Sequence, residues 1–223
     1  MSIVHWDEVS KSNSNSSNGK KVDFLRFKTG TNYRIRPIYY PMKFFKYFHQ
    51  KDGKLRTAIC MDPDTCPVKE AHPDLKKPSV RFASYVIDRA DDKVKVLEGP
   101  QMVFRPLGSH MEATGKNPGG SKDGSDWQIK VSGSGLQKKY DATFLDNTPF
   151  TKDEQDMIRE AIGGDVKDAL SDLFKADSPE QIEKKLFGDW GDNAPENGTA
   201  TEDTEPEVAD GPSAPAENSE MNW

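Results

Sequence analysis

Two groups of residues in this chain have types and spacings that could do chemistry. The first is His49, Cys60, Cys66 and His72, which offer two imidazoles and two thiols within 24 residues, the donor set of a tetrahedral zinc. The gaps between them are 10, 5 and 5 residues. No Cys-x-x-Cys knuckle is present, and cysteines also serve commonly as small buried hydrophobes. The second group is larger. Residues 20–56 hold eleven basic side chains against two acids, Asp23 and Asp52, together with nine of the chain's 21 aromatics. Cations neutralise phosphates and release counterions, while ring faces stack on unpaired bases at about 1–3 kcal/mol each. Interleaved on strand-like sequence, they suit a single-stranded nucleic acid. A duplex would call for a reading helix.

The expected phosphate contacts are Arg34, Arg36, Lys43, Lys46, Lys54, Arg56, Arg81 and Lys130, and the expected base-stacking rings are drawn from Tyr39, Phe45, Tyr47, Tyr85 and Tyr140. In Phe44-Phe45-Lys46-Tyr47-Phe48 a strand with one buried face exposes alternate residues, either Lys43, Phe45 and Tyr47 or Phe44 and Lys46. The glycine-rich stretch 114–126, carrying Lys116 and Lys122, is placed to close over a bound strand. No P-loop and no nucleophile elbow is found. Acid pairs such as Asp62/Asp64, Asp91/Asp92 and Asp123/Asp126 fall in turn sequences. The chain therefore reads as a binding protein rather than an enzyme.

The elements that must position these residues are mostly strands. Apolar residues alternate through 21–38 around Thr29-Gly30-Thr31-Asn32, predicting strand, turn, strand. Asp52-Gly53 predicts a hairpin before 54–59. Segments 80–87 and 93–97 flank a turn, and 127–131 and 139–144 complete the strand set; Met102-Val103-Phe104 fits either a strand or the start of a short helix. Thr151-Lys152-Asp153-Glu154 is a capping-box pattern, and two further short helices follow up to Phe187. The expected class is mainly β (α+β), with a small antiparallel barrel over 20–150 and a helical segment over 151–187 packed on it. Residues 1–19 form a Ser/Asn-rich segment expected to be flexible. No stretch approaches a membrane span, and two cysteines make no disulfide scaffold, so a reducing, intracellular setting is expected.

Residues 188–223 hold ten acids and no lysine or arginine and close on Trp223. The net charge of −6 thus combines a body of +4 with a tail of −10. Too few apolar residues are present to offset ordering entropy, so a disordered segment is expected. An aromatic at the tip of an anionic strand fits a hook for protein partners, with Trp223 filling a pocket and the acids meeting a basic rim.

The ordered set now on the page resembles the single-stranded DNA-binding proteins of T-even-like bacteriophages, the helix-destabilising family. It comprises the basic and aromatic β segment, His49, Cys60 and Cys66-Pro-Val-Lys69, then Tyr85-Val86-Ile87-Asp88 and Val94-Lys95-Val96-Leu97-Glu98. Asp126-Trp127-Gln128-Ile129-Lys130-Val131-Ser132-Gly133-Ser134-Gly135-Leu136, Tyr140 and the acidic tail complete it. The resemblance spans roughly residues 20–150 plus the tail. It implies an OB-fold core that coats single-stranded DNA without strong sequence preference in phage DNA replication, recombination and repair, in the cytoplasm of an infected bacterial host. It also implies a tail that recruits polymerase, helicase or primase. His49, Cys60 and Cys66 match three zinc ligands of that family, but Lys69 stands at the fourth, so His72 would have to complete the site through an altered loop. Met1–Asn18 lacks the family's basic character, which argues against cooperativity by that route. An OB-type adaptor for protein or RNA is the alternative reading, and a metal-dependent nuclease a weaker one. If the tail competes with DNA for the basic face, deleting residues 189–223 tightens oligonucleotide binding at low salt. Titration of the two chains in one low-salt buffer checks this, and equal affinities would refute it.

Overall fold

A long strand with apolar residues at most positions, Ser79–Asp88, organises the sheet because both of its edges are paired. The computed structural model describes residues 23–60, 62–134 and 137–188. The expected N-terminal segment 1–19 and the tail with Trp223, from residue 189 on, lie outside the described residues. Eight strands are present: β1 (Asp23–Phe24), β2 (Asn32–Pro37), β3 (Met42–Lys51), β4 (Lys54–Cys60), β5 (Ser79–Asp88), β6 (Lys93–Pro100), β7 (Ser125–Ser132) and β8 (Lys139–Asn147). The helices are α1 (Pro67–Ala71), α2 (Gln101–Thr114), α3 (Lys152–Ile162), α4 (Val166–Leu173) and α5 (Pro179–Phe187). The sheet path is β1-β6-β5-β2-β7-β8, with β3 joined to β5 and β4 to β3. Among the described residues the path closes no ring, so the fold is mixed α+β with a strand-rich open sheet and C-terminal helices.

One edge of β5 is divided between two strands. β3 pairs with Ser79–Ala83 and β2 with Val86–Asp88. Between them the chain keeps one bond, from the Ile38 N–H to the Tyr85 carbonyl at 3.0 Å, and then Tyr39, Tyr40 and Pro41 leave the ladder. Pro41 has no N–H to offer a neighbour. The Asp52-Gly53 hairpin and the β5–β6 hairpin form as expected. One expectation is corrected: the segment before Gly30 does not pair with β2, because β1 crosses to run parallel to β6. Of the two readings of Met102-Val103-Phe104, the helix start holds, and the helix runs on to Thr114 despite Pro106, with Val103, Phe104 and Leu107 buried on one side and Gly115 closing it in the left-handed conformation.

Three apolar clusters result. Leu25, Ile35, Val86, Leu97, Phe104, Trp127 and Ile129 lie between the sheet and α2. Phe44, Ala83, Tyr85, Ile87 and Val96 meet Leu170, Phe174 and residues of α3 and α4. Tyr47, Ala58, Cys60, Cys66 and Val68 pack against Ile182 and Leu186 of α5. The capping boxes at Thr151/Glu154 and Ser178/Gln181 both form.

The glycine-rich stretch is fixed by Arg36, whose exposure is 0%. Its Nε donates to the Thr148 carbonyl at 2.8 Å, Nη1 to those of Pro37 and Pro118, and Nη2 to that of Gly120 at 2.6 Å. The Phe150 ring lies 4.0 Å from the guanidinium carbon. A Cβ on Gly124 would lie 2.3 Å from Nη2 and one on Gly119 2.6 Å from the Tyr39 carbonyl oxygen, so both approaches require glycine. Arg36→Lys, whose single ammonium cannot reach four diverging carbonyls, is expected to lower stability by about 2 kcal/mol or more. A denaturant melt reads this, and an unchanged midpoint would contradict the role.

Candidate nucleic-acid interface

The structure separates the eight expected phosphate contacts into two kinds. Arg34, Lys43, Lys54 and Lys130 are exposed. Arg36, Lys46 and Arg81 are buried, which corrects their expected role at phosphates. Lys46 donates to both Glu98 oxygens at 2.8 and 3.0 Å, and Arg81 lies 3.5 Å from the same carboxylate. Arg56 is turned inward, donating to the Gly188 carbonyl and lying 3.5 Å from Asp52.

The rings divide in the same way. Tyr47 and Tyr85 are buried, correcting the expectation that they stack on bases. The reason lies in β3, which passes between two cores: Phe44 points into the cluster under α4, and Tyr47 into the one under α5. The assumed single buried face does not exist for this strand. Phe45 is half-buried with the Lys43 ammonium 5.2 Å from its centroid. Tyr140 is half-buried against Phe27 at 5.5 Å. Tyr39 alone of the five expected rings is exposed, at 40%, and its neighbour Tyr40, which the sequence reading passed over, is 46% exposed.

These two tyrosines, edge to face at 5.4 Å, stand at a cleft of about 530 Å³. Its walls are the Tyr39-Tyr40-Pro41 connector, one side of α2 with Phe104, Arg105 and Glu112, and the loop Asn117–Gly119. Phe82 and Ser84 of β5 line its floor, and Lys43 stands opposite Phe82 in the ladder. The Ser84 hydroxyl donates to the Tyr39 carbonyl at 3.3 Å, and Gly119 lies against the Tyr39 backbone, so the connector is held from two sides. Such a cleft can take a flat π ring between tyrosines and aliphatic walls, with Arg105 available to an anion. The stretch 114–126, expected to close over a bound strand, contributes Asn117–Gly119 to a wall of the cleft and is pinned there by Arg36. Arg105 lies on the helix the sequence reading left unresolved. Two tyrosines directly before a proline were the available signal for Tyr40.

Arg34 is held through Nε by Asp126 at 2.8 Å, with its side chain still 51% exposed. Asp126 also receives Arg89 at 3.0 Å and the Thr148 hydroxyl at 2.9 Å, and Arg89 reaches on to Glu154. Burial opposes ionisation of Asp126, but Arg89, Thr148 and Arg34 outweigh it and hold its carboxyl below the usual range; Arg89 and Thr151 do the same for Glu154.

The four metal-donor candidates form two pairs. Cys60 and Cys66 are buried beside the Tyr47 hydroxyl. Burial and the neighbouring Cys66 push the Cys60 thiol up to about 11. Burial also opposes ionisation of Cys66, but Tyr47 and the N–H groups of Lys69 and Val68 draw its thiol down. His49 and His72 instead pack on Phe187, with centroids 4.8 and 4.0 Å away. The ammonium of Lys69 donates to the Pro73 and Leu75 carbonyls and ties that loop itself. Among the described residues no three His, Cys, Asp or Glu side chains converge on a metal-sized point, so these donors do not fit the zinc site that the resemblance implies. No helix among the described residues is long and apolar enough to cross a membrane. No protein-family model and no curated protein matches the chain.

The Asp126 and Glu154 pairs give stability that is complete above the ordinary carboxylate range and is lost as pH falls through their depressed values. Urea midpoints from pH 6 down to pH 3 should therefore fall more steeply for the wild type than for Asp126→Asn. That variant should also be less stable at pH 6 by about 3 kcal/mol, because it removes the buried charge with which half-buried Arg89 and Arg34 pair. Parallel pH curves would refute the assignment.

Proposed function

We propose that this chain binds single-stranded DNA, with unpaired bases stacking at Tyr39 and Tyr40 and entering the cleft beside Phe82, while Lys43 and Arg105 meet the adjoining phosphates. The observation that carries this reading is the pair of tyrosines exposed next to each other over an aromatic cleft. Tyrosines bury much of their ring in most folds, and two adjacent ones held outward by a braced connector are positioned for a ligand. Stacking on ring faces is tolerant of sequence, which suits a protein that coats a strand rather than reads it. OB-type oligonucleotide binders are built on a partly open, mainly antiparallel barrel, and an OB-type core is part of the proposal. Work in DNA replication, recombination and repair follows from the resemblance set out above. So does an acidic 189–223 segment that competes with DNA and offers Trp223 to replication proteins.

The test is fluorescence anisotropy of labelled oligo-dT, duplex DNA and RNA in one salt series. Oligo-dT is expected to bind more tightly than duplex, and Tyr39→Ala/Tyr40→Ala to weaken it at least tenfold, about 1.4 kcal/mol or more, with the thermal midpoint and the salt slope unchanged. Unaltered affinity in the double variant, or preference for duplex, would overturn the proposal.

A further inference from the structure

The cleft is poor in charge. Its lining holds one cation, Arg105, and one acid, Glu112. The cations collect at the opposite end of β2. Residues 25–34 and 128–141 contain Arg26, Lys28, Arg34, Lys130, Lys138 and Lys139 against a single acid, Asp141. The fold brings these two segments together. The Gly30 N–H donates to the Val131 carbonyl at 2.9 Å and the Val131 N–H to the Thr31 carbonyl at 3.3 Å. In the ladders Lys130 faces Asn32 on one side and Asp141 on the other, and Lys139 faces Ser132. Arg26, Lys28, Lys130 and Lys139 are all exposed.

The loop that carries Arg26 and Lys28 has fixed supports. The Tyr33 hydroxyl accepts the Lys28 N–H at 2.6 Å and donates to the Arg26 carbonyl at 3.2 Å. Between the two cations, Phe27 turns inward onto Tyr33 at 5.0 Å and Tyr140 at 5.5 Å. The three rings thus satisfy one another and the first apolar cluster. Their role is to hold lysines and arginines outward at set positions, and Tyr140 is a positioning residue here rather than a stacking one.

We infer that this end of the sheet is a second contact region of the same strand, which grips the sugar-phosphate backbone by charge after the strand leaves the cleft. The inference rests on the single-strand reading of the cleft. β2 separates the two regions by its six residues, roughly 20 Å at ~3.3 Å per residue. Bases and their adjoining phosphates are held at one end and further phosphates at the other, so only an oligonucleotide long enough to span both uses both.

The experiment compares the full chain with Lys28→Glu/Lys130→Glu/Lys139→Glu and with the milder Lys28→Gln/Lys130→Gln/Lys139→Gln, which guards against misfolding of the first. Labelled dT4 and dT16 bracket the site sizes of single OB-type modules and are titrated from low to high salt. Affinity for dT4 is expected to stay within about twofold, and affinity for dT16 to fall at least tenfold. The salt slope for dT16 should drop by about 2, three phosphates at ~0.7 each. Equal weakening of dT4 and dT16, or an unchanged dT16 slope in both folded variants, would overturn the second region while leaving the cleft reading intact. The same would follow if the loss vanished on deletion of 189–223, which would give the surface to an acidic peptide instead. Failure of the unmodified chain to bind either oligonucleotide would overturn the cleft reading itself.

Discussion

A guanidinium buried with no carboxylate of the described residues in direct contact is the constraint around which the rest of the sheet is arranged. Arg36 is surrounded by carbonyl oxygens from β2, from the 118–120 loop and from Thr148, and by the Phe150 ring. Burial lowers its pKa to about 10, and the nearby charges of Asp126, Glu154 and Asp123 counter that shift in part. The group therefore stays charged at neutral pH. Four carbonyls must remain around it, which fixes the glycine-rich loop to the strand and makes that loop a wall of the cleft. A charge placed inside the protein thus gives the surface its shape.

Most of the strands could be read from the sequence because their signals are local. Asp52-Gly53 defines a hairpin, a run of β-branched and aromatic residues marks 79–88, alternation marks 125–132, and Thr151 and Ser178 announce helices through their own side chains. The site was less legible, since burial of a charged residue depends on what arrives from elsewhere in the chain. Arg34 and Arg36 share one side of β2, yet one is exposed and the other is covered by residues more than 80 positions away. Lys46 and Arg81 look like surface cations until Glu98, on a third strand, draws both inward. The helix at 101–114 was hidden by Pro106 and Gly108, although its buried face of Val103, Phe104 and Leu107 has ordinary helical spacing.

Charge and aromatic surface, mixed along the sequence of 20–56, are sorted by the fold. Exposed ring surface is concentrated at the connector after β2, while Arg26, Lys28 and Arg34 are exposed at the loop before β2 and along its start. The lobe built from β3, β4, α1 and α5 holds its thiols around Tyr47 and its imidazoles on Phe187, and Lys69 ties its loop. Lys51 donates to the Phe187 carbonyl at 2.6 Å and Arg56 to that of Gly188, so positive charge meets the C-terminal end of α5. Cations that the composition alone assigns to a ligand are in part spent on the protein's own backbone.

The handover of one β5 edge from β2 to β3 makes scaffold and recognition separately mutable. The registers of both strands are set by their own ladder bonds, while Tyr39 and Tyr40 sit on the short span that belongs to neither. On the proposed reading, replacement of those two side chains would change what the cleft accepts while the ladder bonds that hold the fold stay in place, so ligand preference could change in small steps.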